Sequence, residues 1–432
     1  MKKTIYHTTR LSGTVTLPAD KSISHRAAML SALGDGTSRI AGFPDSADPQ
    51  STLSCLRQMG VEMERESSAP SGPLRIEGRG LSGLQAPDDP LDCGNSGTTM
   101  RLMAGILAGQ PFDSVLTGDA SLRARPMERI AAPLRRMGAD IELTDGGAPI
   151  RITGTRGSSA LDGMEYELPV ASAQVKSCVL LAGLFAEGET TVVEPVPSRD
   201  HTERMLGLDV VEIGGARHLT VQCGQPVEAR TWSVPKDFSA AAFFLVAASV
   251  VPEGELSLRG VGTNPSRNAF LGVLRAMGAD VTAANERTKG GEPRANLTVR
   301  PASLQGVQVG GRQIPNLIDE IPVLAVAGAC AKGRTEIRDA AELRVKETDR
   351  IAAMAEGLRT LGADVETFDD GLALEGPQPL TGASVDAQDD HRVAMALAVA
   401  GLAVEGETTI EGAEAARVSF PGFWEELEQA AT

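Results

Sequence analysis

The sequence predicts an α/β protein of two similar domains, each built from three repeated βαβ-type units with buried central helices and sheets outside, an inside-out arrangement. Three observations carry that expectation. One short motif recurs at helix ends, one Ala/Leu-rich stretch recurs ahead of β-branched strands, and a chain of 432 residues holds 47 glycines while only 3% of it is aromatic. A core short of aromatic rings has to be made from Ala, Leu, Val and Met with backbones packed closely.

The helix-end motif reads "LRQMGVEME" from residue 56, "LRRMGADIEL" from 134, "LRAMGADVTA" from 274 and "LRTLGADVET" from 358, with "MLGLDVVEI" from 205 as a weaker copy. Each is the last turn of a helix, a glycine suited to the left-handed stop, and a strand. Upstream lies the second shared stretch, as in "HRAAMLSALGDGTSRI", "MRLMAGILAGQPFDSVL" and "HRVAMALAVAGLAVEGETTI". Six copies, spaced by roughly 65 to 80 residues, span nearly the whole chain. The first helix of each unit is apolar nearly all round and should be buried; the second carries charge and should be amphipathic. The unit then reads helix, strand, loop, helix, strand. "TLPADKS" (16–22) and "WSVPKDFSA" (232–240) resemble each other, and each has the chain change domain there. Residues 1–19 plus 233–432 are thus expected to form one domain and 20–232 the other.

Charge and composition narrow the function. A formal net charge of −16 argues against nucleic acid or an anionic membrane surface as the partner. There is no uncharged apolar run long enough to span a bilayer, and "MKKTIYHTTR" has no signal-like apolar stretch, so a cytoplasmic location is expected. The five cysteines form no CxxC pair, which predicts neither a disulfide frame nor a zinc site.

The helix starts are where chemistry concentrates. "DKSISHR" (20–26), "GNSGTTMR" (94–101), "ASAQVKS" (171–177), "PKDFSA" (235–240), "LIDEIP" (317–322) and "DDHR" (389–392) each open a buried helix with capping residues, and most add Lys or Arg within a turn or two. Helix N-termini with exposed N–H groups and nearby cations attract anions, so the substrate should carry phosphate or carboxylate. "SLRARPM" (121–127) adds Arg123 and Arg125, planar forks for such groups. "LRVKETDR" (343–350) interleaves Arg344, Lys346 and Arg350 with Glu347 and Asp349, which fits either a solvated helix start or a site that moves protons among anions. For His25, His201 and His391 a structural role is favoured over a catalytic one.

Taken in order over the full chain, "LPADKSISHR", "GNSGTTMR", "RARPM", "SAQVKS", "SRDHTE", "IDEIPVLAVAGA", "LRVKETDR" and "DHRVAM" closely resemble the EPSP synthase (3-phosphoshikimate 1-carboxyvinyltransferase) family of enolpyruvyltransferases. The resemblance implies transfer of the enolpyruvyl group of phosphoenolpyruvate to the 5-hydroxyl of shikimate 3-phosphate through a tetrahedral intermediate. It implies action on those two small molecules without a cofactor or metal, and an active site in the cleft between the domains; a monomer is expected.

Carried over residue by residue, Lys21, Ser22 and Arg26 resemble shikimate 3-phosphate contacts, with Lys21 also reaching phosphoenolpyruvate. Asn95, Gly97 and Arg125 resemble phosphoenolpyruvate contacts; Ser172, Ala173 and Gln174 resemble the loop that meets the shikimate phosphate and ring; Ser198 and Arg199 match positions at the same phosphate. Asp319 and Lys346 match shikimate hydroxyl contacts, and Arg350 and Arg392 match phosphoenolpyruvate clamps. The implied catalytic set is Asp319, Glu347 and Lys21. The chain departs from the family at Ala173, where serine is frequent, and at Val418–Ser419, where many members place a lysine before the final Phe-Pro; Arg417 is the candidate substitute. A UDP-N-acetylglucosamine enolpyruvyltransferase would share the fold, but that family uses a loop cysteine that "DASLRARPM" lacks. A non-catalytic anion-binding repeat protein would leave the carboxylates among the cations unexplained.

Overall fold

The computed structural model describes residues 1–67, 72–155 and 161–431. The chain forms two compact units: unit 1 comprises Met1–Pro18, Pro235–Lys289 and Pro293–Thr432, and unit 2 comprises Ala19–Val234 with the short segment Gly290–Glu292.

One repeat of unit 2 shows how sequence becomes structure. Strand Leu91–Asp92 leads into the buried helix Gly97–Ala108, then strand Ser114–Thr117, the amphipathic helix Glu128–Arg136, and a hairpin of Asp140–Thr144 with Gly147–Thr153. The leading strand pairs parallel with Ser114–Thr117, which pairs antiparallel with the second hairpin strand, leaving the first at the edge. The same order recurs around the buried helix Ala173–Gly183 and, in unit 1, around Ile321–Cys330. Each repeat therefore has more strands than the sequence pattern suggested. Turn chemistry explains the extra one: Asp145 and Gly146 both have positive φ, as do Gly214–Gly215 and Gly290–Gly291, the conformation a two-residue hairpin demands. The five helix-end glycines, Gly60, Gly138, Gly207, Gly278 and Gly362, also have positive φ, as their motif predicts.

At both chain crossings the strand stays behind while the helix goes over. Arg10–Val15 pairs parallel with Glu253–Gly262 inside unit 1, yet the next helix, Lys21–Leu33, belongs to unit 2. Thr231–Ser233 pairs parallel with Thr37–Ala41 inside unit 2, yet the next helix, Phe238–Val250, belongs to unit 1. The last repeat is completed from the other end of the chain: Lys2–Tyr6 runs antiparallel to Glu407–Glu411, with Ser384–Asp386 parallel on the far side.

The six first helices are buried along most of their lengths, and the second helices bury one face; in Glu128–Arg136 that face is Ile130, Ala131, Pro133 and Leu134. Unit 2 has the expected core of Ala, Leu, Val, Ile and Met, with Phe43 a rare ring. Unit 1 departs from that expectation: Phe243, Phe244, Phe420, Phe423 and Trp424 form an edge-to-face cluster between a buried helix and the final helix. The few aromatic residues are concentrated there.

Close helix packing depends on glycine at named points. A Cβ on Gly105 would lie 2.2 Å from the carbonyl oxygen of Cys178 in the facing helix, whereas one on Gly272 would meet nothing within 4 Å. Gly105→Ala should therefore force two backbones apart and destabilise unit 2 by about 2–3 kcal/mol. Gly272→Ala, on the exposed face of a helix, should stabilise unit 1 by about 0.5–1 kcal/mol. Urea midpoints that move in the same direction for both variants would contradict this reading.

Candidate active site

In unit 1 the site begins with a helix cap. Asp390 precedes the buried helix His391–Ala403; its Oδ1 accepts from the N–H groups of Arg392 at 2.7 Å and Val393 at 3.3 Å. The other oxygen, Oδ2, accepts from Nε of Arg350 at 2.7 Å. Arg350 is only 2% exposed and also meets Glu347 at 2.6 Å and Asp319 at 3.5 Å. Burial alone would lower its pKa, but the charges of Asp390, Glu347 and Asp319 outweigh burial and raise it above the ordinary arginine value.

Asp319 sits on a 3-10 turn before the Ile321–Cys330 helix and faces three cations: Arg350, Lys346 at 3.9 Å and Arg392 at 3.9 Å. Its backbone carbonyl accepts from Arg392 Nη1 at 2.9 Å. This helix is the exception among the six, because no side chain caps it: Glu320 is tied instead to Arg267 by bonds of 2.7 and 2.8 Å and to the Ser239 hydroxyl. All five unit 1 candidates, Asp319, Lys346, Glu347, Arg350 and Arg392, thus come together. "LRVKETDR" is not one helix start. A 3-10 turn ends at Val345, Asp349 caps the next helix by accepting from Ala352 N–H, and Arg350 is that helix's first residue. Lys346 pairs with Glu342 at 3.5 Å as well as with Asp319, so the ion pair at Glu347 is made by Arg350.

Unit 2 brings its candidates together through side-chain bridges. Arg26 reaches from the first buried helix to Ser177 on the third at 2.8 Å and to Thr202 at 2.7 Å. Gln174 accepts from Arg101 Nη1 at 2.8 Å and donates to Thr98 at 3.0 Å, joining the third helix to the second. Arg125 donates to Asn95 Oδ1 at 2.6 Å, and Asn95 donates to Asp119 at 2.7 Å. Gly97 lies against two guanidiniums: a Cβ there would be 2.8 Å from Arg101 Nη1 and 3.4 Å from Arg125 Nη1. Lys21 pairs with Asp48 at 2.8 Å, and Ser22 offers its carbonyl to Arg26 at 2.9 Å.

Ser172 caps its helix by accepting from Val175 N–H, with Ala173 as the first helical residue. The hydroxyl of Ser198 donates to Glu194 at 2.5 Å, so that proton is held by a carboxylate. Arg199 lies close enough to help lower the pKa of Arg26, which burial pushes down to about 10. Arg417 lies exposed on a 3-10 turn. Sequence reasoning missed Asp390 as the partner of Arg350 and the hydroxyls of Ser177 and Thr202. Their only signal was position: a cap residue, a serine on a mostly apolar buried helix, and a threonine between the buried His201 and Glu203.

His25 is structural, as its setting suggests. It is fully buried, its Nδ1 lies 2.7 Å from Thr52 Oγ1, and burial, reinforced by Lys21 and Arg26, holds its pKa well below the usual value. Below about pH 6.5 the unfolded chain therefore binds a proton that the folded chain refuses, and stability falls as pH falls through that window. His25→Gln should flatten this dependence by up to ~1.4 kcal/mol per pH unit. Urea midpoints measured from neutral pH down to about pH 5 check it, and equal slopes in both proteins would refute it.

The fold is that of the enolpyruvyl transferases. The solved structure of the enolpyruvyl transferase NikO from Streptomyces tendae superposes with a TM-score of 0.77 at 20% identity, covering 99% of this chain and 96% of that one. The chain belongs to the EPSP synthase family, whose model (3-phosphoshikimate 1-carboxyvinyltransferase) matches residues 5–427. It is 64% identical to the 3-phosphoshikimate 1-carboxyvinyltransferase of Salinibacter ruber and 51% identical to that of Herpetosiphon aurantiacus, with 99% of each chain covered in both cases. The solved EPSP synthase of Acinetobacter baumannii matches at 45% identity with a TM-score of 0.86, over 99% of this chain and 98% of that one.

Proposed function

We propose that this chain transfers the enolpyruvyl group of phosphoenolpyruvate to the 5-hydroxyl of shikimate 3-phosphate and releases phosphate, a step of the shikimate pathway; the names of its relatives, 3-phosphoshikimate 1-carboxyvinyltransferases, support this reading. The observation that carries the reading within the structure is the unit 1 cluster. It places two carboxylates, Asp319 and Glu347, against the fixed cations Arg350, Lys346 and Arg392. A module that only bound anions would gain nothing from carboxylates there, whereas addition followed by elimination requires groups that give and take protons.

In the scheme we infer, Asp319 takes the proton of the attacking 5-hydroxyl while Glu347 delivers one to the methylene carbon of phosphoenolpyruvate, giving a tetrahedral intermediate. Elimination reverses the proton movement: the new methyl group returns a proton to Glu347, the C–O bond to phosphate breaks, and Asp319 passes its proton to the departing phosphate. Arg350, Arg392 and Arg125 hold the carboxylate and phosphate of phosphoenolpyruvate, with Asn95 and Gly97 beside Arg125. Lys21, Ser22, Arg26, Ser172, Ala173, Gln174, Ser198 and Arg199 receive shikimate 3-phosphate, and Lys346 and Asp319 hold its hydroxyls. Lys21 also meets phosphoenolpyruvate, compensating charge as it shifts to the leaving phosphate. The Lys21–Asp48 pair opens when an anion takes the ammonium. We assign the chain as a monomer in the cytoplasm; no described helix is long and apolar enough to cross a membrane.

Phosphate release measured with phosphoenolpyruvate and each of two acceptors tests the assignment. Release is expected with shikimate 3-phosphate; release with UDP-N-acetylglucosamine alone would overturn it. Glu347→Gln keeps the size of the side chain but cannot hand over a proton, so kcat should fall about a hundredfold or more. KM for phosphoenolpyruvate should stay level or drop, since Arg350 and Arg392 remain and a negative neighbour is gone. Near-normal turnover in that variant would return Glu347 to a structural role.

A further inference from the structure

Arg26 is 4% exposed, and among the described residues its guanidinium meets two hydroxyls and one carbonyl but no carboxylate within ion-pair distance. One N–H is used on each of its three nitrogens, which leaves one on each terminal nitrogen, a fork suited to phosphate oxygens. What aims that fork can be read from proton counting. Ser177 Oγ lies 2.6 Å from the carbonyl oxygen of Ala173, which can only accept, so the serine proton points there. The 2.6 Å bond between Ser177 and Thr202 must then run from the threonine hydroxyl to the serine oxygen. The outcome is a directed chain. Arg26 Nε donates to Thr202, Thr202 to Ser177, and Ser177 to the backbone of the 172–174 turn, while Arg26 Nη2 donates to Ser177 as well.

A second rung runs beside the first on the neighbouring residues. Lys176 and Glu203 pair at 2.7 Å, and Lys176 also meets Glu194 at 2.9 Å, the carboxylate that accepts from Ser198. Lys176 and Ser177 are 0% exposed, and Thr202 and Glu203 are 1% exposed. Apolar side chains of similar volume would clamp the two helices without the cost of burying polar groups. What the hydroxyls add is direction.

Resting on the reading above of Arg26 as a shikimate 3-phosphate contact and of the 172–174 turn as the loop that meets its phosphate, we infer that Thr202 is a positioning residue for that phosphate. It touches no substrate atom; it orients the Arg26 guanidinium and ties it to the 172–174 turn, so that both meet the same phosphate in register.

The test uses the full-length chain, with calorimetric titration of shikimate 3-phosphate and, separately, KM for phosphoenolpyruvate at saturating shikimate 3-phosphate. Thr202→Val keeps the shape and removes the hydroxyl, and it should weaken shikimate 3-phosphate binding about tenfold or more, the worth of a hydrogen bond to a charged group. Thr202→Ser, which restores the hydroxyl, should bind within about threefold of the parent, and KM for phosphoenolpyruvate should change by less than about twofold in both. Unchanged binding by Thr202→Val, whatever its melting temperature, would overturn the inference, and so would an equal loss for both substrates. If Thr202→Val does not fold, Ser177→Ala breaks the same chain and should show the same selective loss; normal binding by it would be equally decisive against. A parent protein that does not bind shikimate 3-phosphate at all would instead remove the reading on which the inference rests.

Discussion

The carboxylate of Asp390 is the interaction on which the unit 1 site depends. One oxygen caps a helix whose residues are nearly all apolar, and the other holds a guanidinium that has almost no access to water. A buried cation stripped of such a partner costs about 3–5 kcal/mol. With Asp390 in place, Arg350 is fixed from behind, and its remaining nitrogens are presented to Glu347 and Asp319. Glu347, the proposed acid/base, is therefore oriented by a cation that is itself oriented by a helix cap. Each step relies on a group with few rotamers open to it.

The same economy runs through both units. A helix of small residues can lie at the centre of a domain only if its ends satisfy their own N–H groups, so the polar residues of these helices gather at their starts. In unit 1 the starts are joined through Ser239, Glu320 and Arg392. In unit 2 they are joined through Arg26 with Ser177 and through Gln174 with Thr98. Three repeats per unit thus supply three polar helix starts already in hydrogen-bond contact, a ready framework for binding anions. The proposed function uses residues the fold needed for its own hydrogen bonding.

Much of this was legible in the sequence because it is local. Helix-end glycines, buried Ala/Leu helices and cap residues each announce themselves within a few positions, and repetition turned weak signals into a firm count. In three repeats the hairpin after the second helix was also written there, in Asp145–Gly146 and the paired glycines at 214–215 and 290–291, but the single-strand reading passed over it. The clustering of phenylalanines in unit 1 was not legible, since composition gives an average over the chain and says nothing of where rings collect. Nor were Asp390 with Arg350 or Thr202 with Arg26, pairs set by tertiary approach between residues 40 and 176 positions apart. The cap that should have opened the Ile321–Cys330 helix failed for a tertiary reason too: Arg267 claims Glu320.

The pairing of the first strand has a consequence for how the chain is made. Lys2 lies opposite Glu411, 409 residues away, and Arg10–Val15 waits for Glu253–Gly262. Unit 2, apart from the Gly290–Glu292 segment, is continuous from Ala19 to Val234 and carries its own leading strand at its end. During synthesis from the N-terminus, unit 2 can complete its sheets while the two strands that emerged first still have no partners. Arg10–Val15 exposes an open edge until Glu253–Gly262 has been translated and Lys2–Tyr6 until Glu407–Glu411 has, so a chain stalled late in synthesis would present the first strand to other molecules. The segment of unit 1 that leaves the ribosome first is the last to gain its place.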